Sequence, residues 1–470
     1  MSTRSRHRPQ NSVIAGVFHA LGQARFRLFR SPLRKSLTLG VLLRPTQILI
    51  SAALVPITLH LVGSLRFGVW LALSSFLSWA LIGQAGLSET VVAPLAMART
   101  RGDKDAELAI VRKALILLAT AGVVIFLLYS VSASLIDLRA FLHVPARISG
   151  AELFGTYFLN GLLISVSLPV GLSGALYEAD NRSYVPAVAN LASRIVAVAG
   201  IEVLTLWSPH YPLVWLAGIA TGSPVLAALI LWRGALPRNL RSITHDKGSS
   251  DIGFRWLIRL STSFTAFQIR NAVVLSTDSL LIAHILRPQA VVPYALAFRL
   301  ATLLIGFAYA AIAPLRAGFA RAFQASDWPW ILQRWRQLRI VSVASALAVG
   351  CGLTLFGRPL IRLWTGPSFL PSEGLLMAIS AFFVVEAWNY AHFTMLSSSN
   401  RLGGLGLAAV ADSVLNLALS VFLIGKIGPV GAAIGSLTAT TVTLALLLPC
   451  AVHRFLSTYV RARHPPLEIV

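Results

Sequence analysis

The chain has 470 residues, 56% of them hydrophobic and only 12% charged, with a mean hydropathy of +0.74. A soluble domain carries about 25% charged residues, so this composition excludes a cytosolic enzyme, a disordered chain and a secreted disulfide scaffold. The net charge is +23, from 40 Lys+Arg against 17 Asp+Glu. In a soluble protein that excess would point to nucleic acid. Here the apolar runs reach the length of about 20 residues that a helix needs to cross a bilayer, and basic excess marks cytoplasmic loops and anionic lipid instead. The expected class is all-α: a polytopic membrane protein with membrane lipids, and no nucleic acid, among its partners.

In chain order, residues 1–36 form a basic tail with Arg4, Arg6, Arg8, Arg25, Arg27, Arg30, Arg34 and Lys35. The first long apolar run comes too late for a cleavable secretory signal. Residues 13–30 read as a basic amphipathic surface helix or as a partly disordered anchor, and both readings are open. Twelve spans follow, at roughly 37–62, 68–96, 114–136, 153–177, 184–207, 211–232, 261–286, 291–320, 339–363, 373–398, 404–425 and 430–453. The widest hydrophilic connection, 233–260, divides them into an N-lobe (37–232) and a C-lobe (261–453) of six spans each, and 454–470 is the C-terminal tail. With both termini in the cytoplasm, 28 of the 40 Lys/Arg fall on inward segments and seven on outward loops. That bias satisfies the positive-inside rule, and the inverted orientation contradicts it.

The halves carry a weak internal repeat. Arg44 in the first span precedes Trp70 by 26 residues, and Arg270 in the seventh precedes Tyr294 by 24. Parallel six-span repeats are a common transporter architecture. Pro45, Pro56, Pro94, Pro169, Pro224, Pro293 and Pro314 lie in or beside spans, where each removes a backbone donor and favours a kink. Cys351 and Cys450 lie in apolar segments and form neither a metal motif nor a disulfide framework.

Five arginines fall inside spans: Arg44, Arg194, Arg270, Arg299 and Arg316. Each costs about 2.5–3.5 kcal/mol at mid-membrane on insertion scales, so none can face lipid. Either they pair with the acids near spans (Glu89, Glu202, Asp278, Glu386, Asp412) or they line a wet cavity. Arg194 and Arg316 are expected near the cytoplasmic edge, where they can snorkel. Arg44, Arg270 and Arg299 are the candidates for a cavity that holds an anion, because a guanidinium fork suits phosphate oxygens. Glu89, Asp278 and Asp412, with His60, His284 and His392, are candidates for carrying protons. The competing reading pairs Asp278 with Arg270 or Arg299.

Trp70, Trp79, Trp388 and Tyr390 have rings that suit sugar stacking, although interfacial belt duty explains most tryptophans. Asn389, Tyr390 and His392 lie mid-span and read either as headgroup contacts or as interhelical hydrogen bonds. The chain has no Walker-type loop, G-x-S-x-G, H-E-x-x-H or metal-binding cysteine pair. No cofactor, metal or catalytic residue is expected.

Two stretches carry a resemblance. RFGVWLALSSFLSWALIGQAGLSETVVAPLAMARTRGDKDAE (66–107) places G-x-W at the start of span two, then a small-residue turn and a basic loop. TDSLLIAHILRPQAVVPYALAFRL (277–300) places an acid, an apolar run, a short turn and V-x-Y-A-x-A-x-R-L. Both resemble the polysaccharide transporter (O-antigen flippase) branch of the multidrug/oligosaccharidyl-lipid/polysaccharide exporter superfamily. The resemblance implies two six-helix lobes in a V around a central cavity. It implies a cationic cavity, onto which Arg44, Arg270 and Arg299 map. It also implies flipping of a polyprenyl-pyrophosphate-linked oligosaccharide for O-antigen or exopolysaccharide synthesis, with proton or sodium coupling and with a polysaccharide polymerase and glycosyltransferases as neighbours. The implied home is the bacterial inner membrane. Two rivals stand beside this reading: a cation-coupled multidrug exporter on the same scaffold, which needs a carboxylate-lined cavity, and a membrane-embedded polymerase or ligase, which needs a sizeable catalytic outer loop.

Overall fold

The computed structural model describes residues 32–207, 209–235, 254–312, 318–319, 322–323, 325–399, 402 and 404–463; within them the side chains of 32–38, 40–42, 44, 76–90, 93, 254–265, 308, 310–312 and 458–463 lie outside that description. The amphipathic stretch expected at 13–30, the 236–253 part of the linker, Pro314 and Arg316 also fall outside it. The described residues hold thirteen α-helices and no strand. In chain order they are α1 Pro32–Arg101, α2 Lys104–Leu135, α3 Leu138–Phe141, α4 Gly150–Ala179, α5 Tyr184–Trp207, α6 Pro212–Ala235, α7 Phe254–Ile285, α8 Pro288–Ile312, α9 Trp328–Thr365, α10 Glu373–Ser398, α11 Leu405–Ile427, α12 Pro429–Val442 and α13 Leu444–Arg463.

As far as the residues are described, these helices overlie the expected spans. Helix α1 holds the first two, because the chain turns at Gly63 (φ 72°, ψ 168°) without breaking the helical run on either side. That φ lies in the left-handed half of the map, which glycine enters without a Cβ clash. Helices α12 and α13 share the last span, interrupted at Thr443 (φ −95°, ψ −89°). Among the described residues, ten stretches are long and apolar enough to cross a membrane. The chain is a multi-pass membrane protein. Its exposed apolar side chains, among them Leu127, Leu128, Leu355, Phe356, Leu363, Val414 and Phe422, form the lipid-facing surface.

Two connections read as loops are helical instead. Span nine begins at Trp328 rather than 339, because Asp327 caps the helix by accepting from the Trp330 N–H at 3.2 Å and Pro329 occupies the first turn. Span three begins at Lys104, capped by Asp103, whose Oδ1 accepts from the Ala106 N–H at 2.9 Å. A side-chain oxygen at the N-cap satisfies a donor the helix cannot pair itself. In both places charge density masked helical continuity.

Packing sorts the helices into two lobes. Helices α1, α2, α4, α5 and α6 pack on one another, as do α7 to α12, and α1 packs across the divide on α7 and α8. At the end remote from the chain termini a single core spans both lobes, joining Leu59, Phe67 and Leu73 of α1 to Ile282, Val291 and Leu296 of α7 and α8. At the terminal end the cores are separate. Leu95, Ile110, Leu118, Leu172 and Leu176 serve the N-lobe, and Phe267, Ile331, Leu338, Met395 and Leu448 serve the C-lobe. The remote junction is reinforced by polar contacts. Trp364 Nε1 donates to the Ala52 carbonyl at 3.1 Å, and His284 Nδ1 meets the Phe141 carbonyl at 2.7 Å with its ring stacked on Phe141. This is the V-shaped arrangement of two lobes, closed at one end.

Gly68 sits at the closest approach in that junction. A Cβ there would lie 2.0 Å from the Pro288 carbonyl oxygen, and backbone cannot move aside as a side-chain tip can. Gly68→Val is expected to destabilise the protein by about 1–3 kcal/mol or more, read as a lowered melting temperature in detergent. Gly174→Ala, whose Cβ meets open space, should melt as the wild type does.

Candidate functional site

A cavity of about 590 Å³ lies in the N-lobe, walled by both arms of α1 and by α4, α5 and α6, with Arg299 of α8 reaching in from the C-lobe. That volume lies within the range of about 300–1,000 Å³ typical of ligand pockets. Its polar lining includes Thr58, Asn190, Ser193, Thr221, Arg194 and Arg299, and Trp70 presents an aromatic face. Among the described lining residues there are two arginines and no carboxylate.

Local structure explains how these side chains are held. Gln47 of α1 donates to the Ala187 carbonyl of α5 at 2.8 Å, which ties the two helices beside the cavity. One turn further along α1, Ser51 accepts from Arg194 Nη1. Its own hydroxyl donates back to the Gln47 carbonyl at 2.7 Å. Arg194 is therefore aimed by a neutral hydroxyl, and among the described residues it has no acidic partner. Arg299 is exposed to the cavity and, among the described residues, has neither a hydrogen bond nor an ion pair. The two guanidinium groups act on each other electrostatically. Like charges confined between low-dielectric walls focus a positive potential that only an anion relieves.

The C-lobe treats its arginine in the opposite way. Arg270 of α7 is 3% exposed and saturated. Its Nε donates to Asp412 Oδ2 of α11 at 2.6 Å, and its two terminal nitrogens fork onto the Glu386 carboxylate of α10. Nη2 also donates to Thr440 Oγ1 of α12 at 2.8 Å. Thr443, at the interruption of the last span, donates to Asp412 Oδ1 at 2.6 Å. One guanidinium thus pins four helices, and Arg270 does not line the cavity.

Asp278, buried on α7, pairs with neither Arg270 nor Arg299, contrary to the pairing considered from sequence. Tyr294 donates to its Oδ2 at 2.6 Å and Ser436 donates to the same atom at 3.1 Å. Asn416 in turn donates to Ser436 at 2.8 Å. Asp412 is the ion-pair partner of Arg270.

Of the three arginines expected to converge, Arg299 lies in the cavity and Arg270 does not. The side chains of Arg44 and Glu89 fall outside the described residues. Arg194, expected to snorkel, is the second cavity arginine. Its signal in the sequence was its depth, ten residues into α5, about 15 Å from the helix start at 1.5 Å per residue. Trp70 lines the cavity. Trp388 instead packs against His392 and the Arg339 guanidinium, and Tyr390 stacks on Tyr309. His392 Nδ1 bonds the Trp388 carbonyl within its own helix.

No protein-family model matches the sequence, and no curated protein does. Solved structures do match in fold. A multidrug resistance MATE family transporter of the MOP superfamily in an inward-facing conformation aligns with a TM-score of 0.64 at 14% identity, covering 90% of this chain and 95% of the other. The lipid II flippase MurJ, in an inward closed conformation, aligns at 0.63 and 14%, covering 90% and 87%. A point mutant of the Vibrio cholerae MATE transporter VcmN aligns at 0.59 and 16%, covering 91% and 97%. The fold is the one these transporters share. The likeness runs over nine-tenths of the chain and so takes in helices of both lobes.

Removing the Arg270 guanidinium leaves two carboxylates facing each other without a cation, a loss that costs about 3–5 kcal/mol at a buried pair. Arg270→Met is expected to unfold at markedly lower temperature or denaturant. Neutralising the partners as well, with Glu386→Gln and Asp412→Asn, should recover most of that loss. A melting series of the single and triple variants checks this.

Proposed function

We propose that the protein is a flippase that moves a polyprenyl-pyrophosphate-linked oligosaccharide across the bacterial inner membrane, by alternating access, for O-antigen or exopolysaccharide synthesis. The carrying observation is that Arg194 and Arg299, from opposite lobes, face one cavity whose described lining holds no carboxylate. A diphosphate neutralises both guanidinium groups and accepts their forked hydrogen bonds. Trp70 and the hydroxyl and amide side chains of the wall suit sugar rings, while the polyprenyl tail stays in lipid. A solved structure of similar fold is named as a lipid II flippase, which supports a lipid-linked cargo on this architecture.

The multidrug exporter reading draws on the MATE neighbours, but its requirement is a carboxylate in the cavity. Asp278 and Asp412 are buried in the C-lobe, away from the cavity lining. A polymerase or ligase requires catalytic groups on an outer loop. The longest such loop here, around α3, spends Asp137 on capping that helix and Arg139 on the Ile148 carbonyl.

In this reading both termini are cytoplasmic, as the distribution of Lys and Arg requires, and the lobes open toward the cytoplasm. The rigid core at the remote end closes the outer face. Asp278, held by neutral hydroxyls and not by a cation, is the C-lobe acid assigned to coupling. A polymerase and glycosyltransferases are the expected functional partners, supplying and consuming the cargo.

Arg299→Gln and Arg194→Gln are each expected to abolish polymer export while the protein remains in the membrane at normal abundance. Loss of one charge-assisted contact of about 1.5–3 kcal/mol corresponds to roughly 10- to 100-fold weaker cargo binding. Cells carrying either variant should accumulate lipid-linked oligosaccharide on the cytoplasmic leaflet; normal export by both would refute the role. Asp278→Asn should bind cargo normally and lose gradient-driven export, which separates coupling from binding.

A further inference from the structure

The structure assigns a second anion site, distinct from the cavity. The first three turns of α9, together with Trp388 of α10, bind the phosphate headgroup of an anionic phospholipid at the membrane surface. These turns read WPWILQRWRQLR (328–339) and carry three arginines, and the whole helix contains no acid. Asp327, immediately before it, is committed to capping Trp330.

Two of the arginines, Arg334 and Arg339, are held by rings rather than by carboxylates. The Arg339 guanidinium lies 4.6 Å from the Trp335 ring centre and 5.8 Å from that of Trp388. The Arg334 guanidinium lies 5.9 Å from the Trp330 ring and donates to Gln337 Oε1 at 2.6 Å. Arg336 is exposed. Among the described residues none of the three has an acidic partner. At the opposite end of the same helix the arrangement differs, because Arg358 is paired with Glu373 at 3.3 Å.

Position identifies the anion as a lipid headgroup. Immediately beyond Arg339 the exposed surface of α9 turns apolar, with Ile340, Val341 and Leu347 open to the hydrocarbon side. The arginines therefore stand at the border between acyl chain and headgroup, where indole rings also settle. Arg336 and Arg339 are one turn apart, about 4.5 Å along the axis, so a single phosphodiester spans both. Cation–π contact preorients Arg339, and less ordering entropy is lost on binding.

The test uses the full chain purified in detergent, with phosphatidylglycerol and phosphatidylcholine as probes, read by native mass spectrometry and by melting temperature. The expected result is retention of phosphatidylglycerol over phosphatidylcholine, and a rise in melting temperature with the anionic lipid alone. R336Q, on an exposed side chain that leaves the fold intact, should weaken phosphatidylglycerol binding about fivefold, and R334Q/R336Q/R339Q by about fivefold for each arginine removed. R358Q, at the paired end, should behave as wild type. Equal retention of the two lipids, undiminished binding by the triple variant, or the same stabilisation by inorganic phosphate alone would each overturn the assignment. The Arg194 and Arg299 variants should bind phosphatidylglycerol normally, so the outcome is independent of the cargo reading.

Discussion

A guanidinium cannot shed its proton and cannot face hydrocarbon, so every arginine within a span forces the surrounding structure to answer it. The two lobes give different answers. In the C-lobe Arg270 is answered by Glu386, Asp412 and Thr440, and the result is an interior pinned across four helices. At the N-lobe cavity Arg194 is answered by a hydroxyl, and Arg299, reaching in from the C-lobe, by open space. Burying a paired charge generally contributes little net stability against an apolar core, but breaking the pair is costly. The C-lobe network therefore reads as a device that fixes relative helix positions, including the interruption at Thr443.

That difference gives the lobes different mechanical characters. The C-lobe is tied internally by charge, and its Asp278 cluster adds bonds from α8 and α12 to α7. The N-lobe is tied by small contacts at its edge, such as Gln47 to Ala187, and encloses space at its centre. Between them the apolar core at the remote end acts as the common seat, with Gly63 turning the chain and Gly68 allowing close backbone approach. Packed interfaces of this kind shift between discrete arrangements rather than deforming continuously.

The fold was largely legible because its determinants are local and periodic. Apolar runs of spanning length suffice to read an all-α, multi-pass chain. What the sequence hid were places where a local signal was overridden. The charged segment 328–339 reads as a loop until the Asp327 cap and the Trp–Arg ring contacts show why it is helical. The site was half legible. Arg299 and Trp70 follow from residue chemistry. Arg270 was misplaced because a single chain cannot tell which of two arginines, each with acids nearby in number, has those acids nearby in space. Glu386 and Asp412 lie more than a hundred residues from Arg270 in the chain, so only the tertiary fold decides the pairing.

Arg299 is a C-lobe residue, on α8, yet its guanidinium belongs to an N-lobe cavity. Two fixed positive charges on opposite lobes repel, and with the cavity empty that repulsion favours keeping them apart. On the flippase reading, a diphosphate between Arg194 and Arg299 converts the repulsion into two attractions that bridge the lobes. A ligand shifts a conformational equilibrium only by its difference in affinity for the two states. Moving a population from 1:99 to 99:1 takes about 5.5 kcal/mol of such difference. Two charge-assisted contacts of about 1.5–3 kcal/mol each are of that size when they form fully in only one lobe arrangement. On the same reading, the pair of arginines that selects the cargo by charge would also link its arrival to lobe movement, and a cavity with both arginines on one lobe would select without that link.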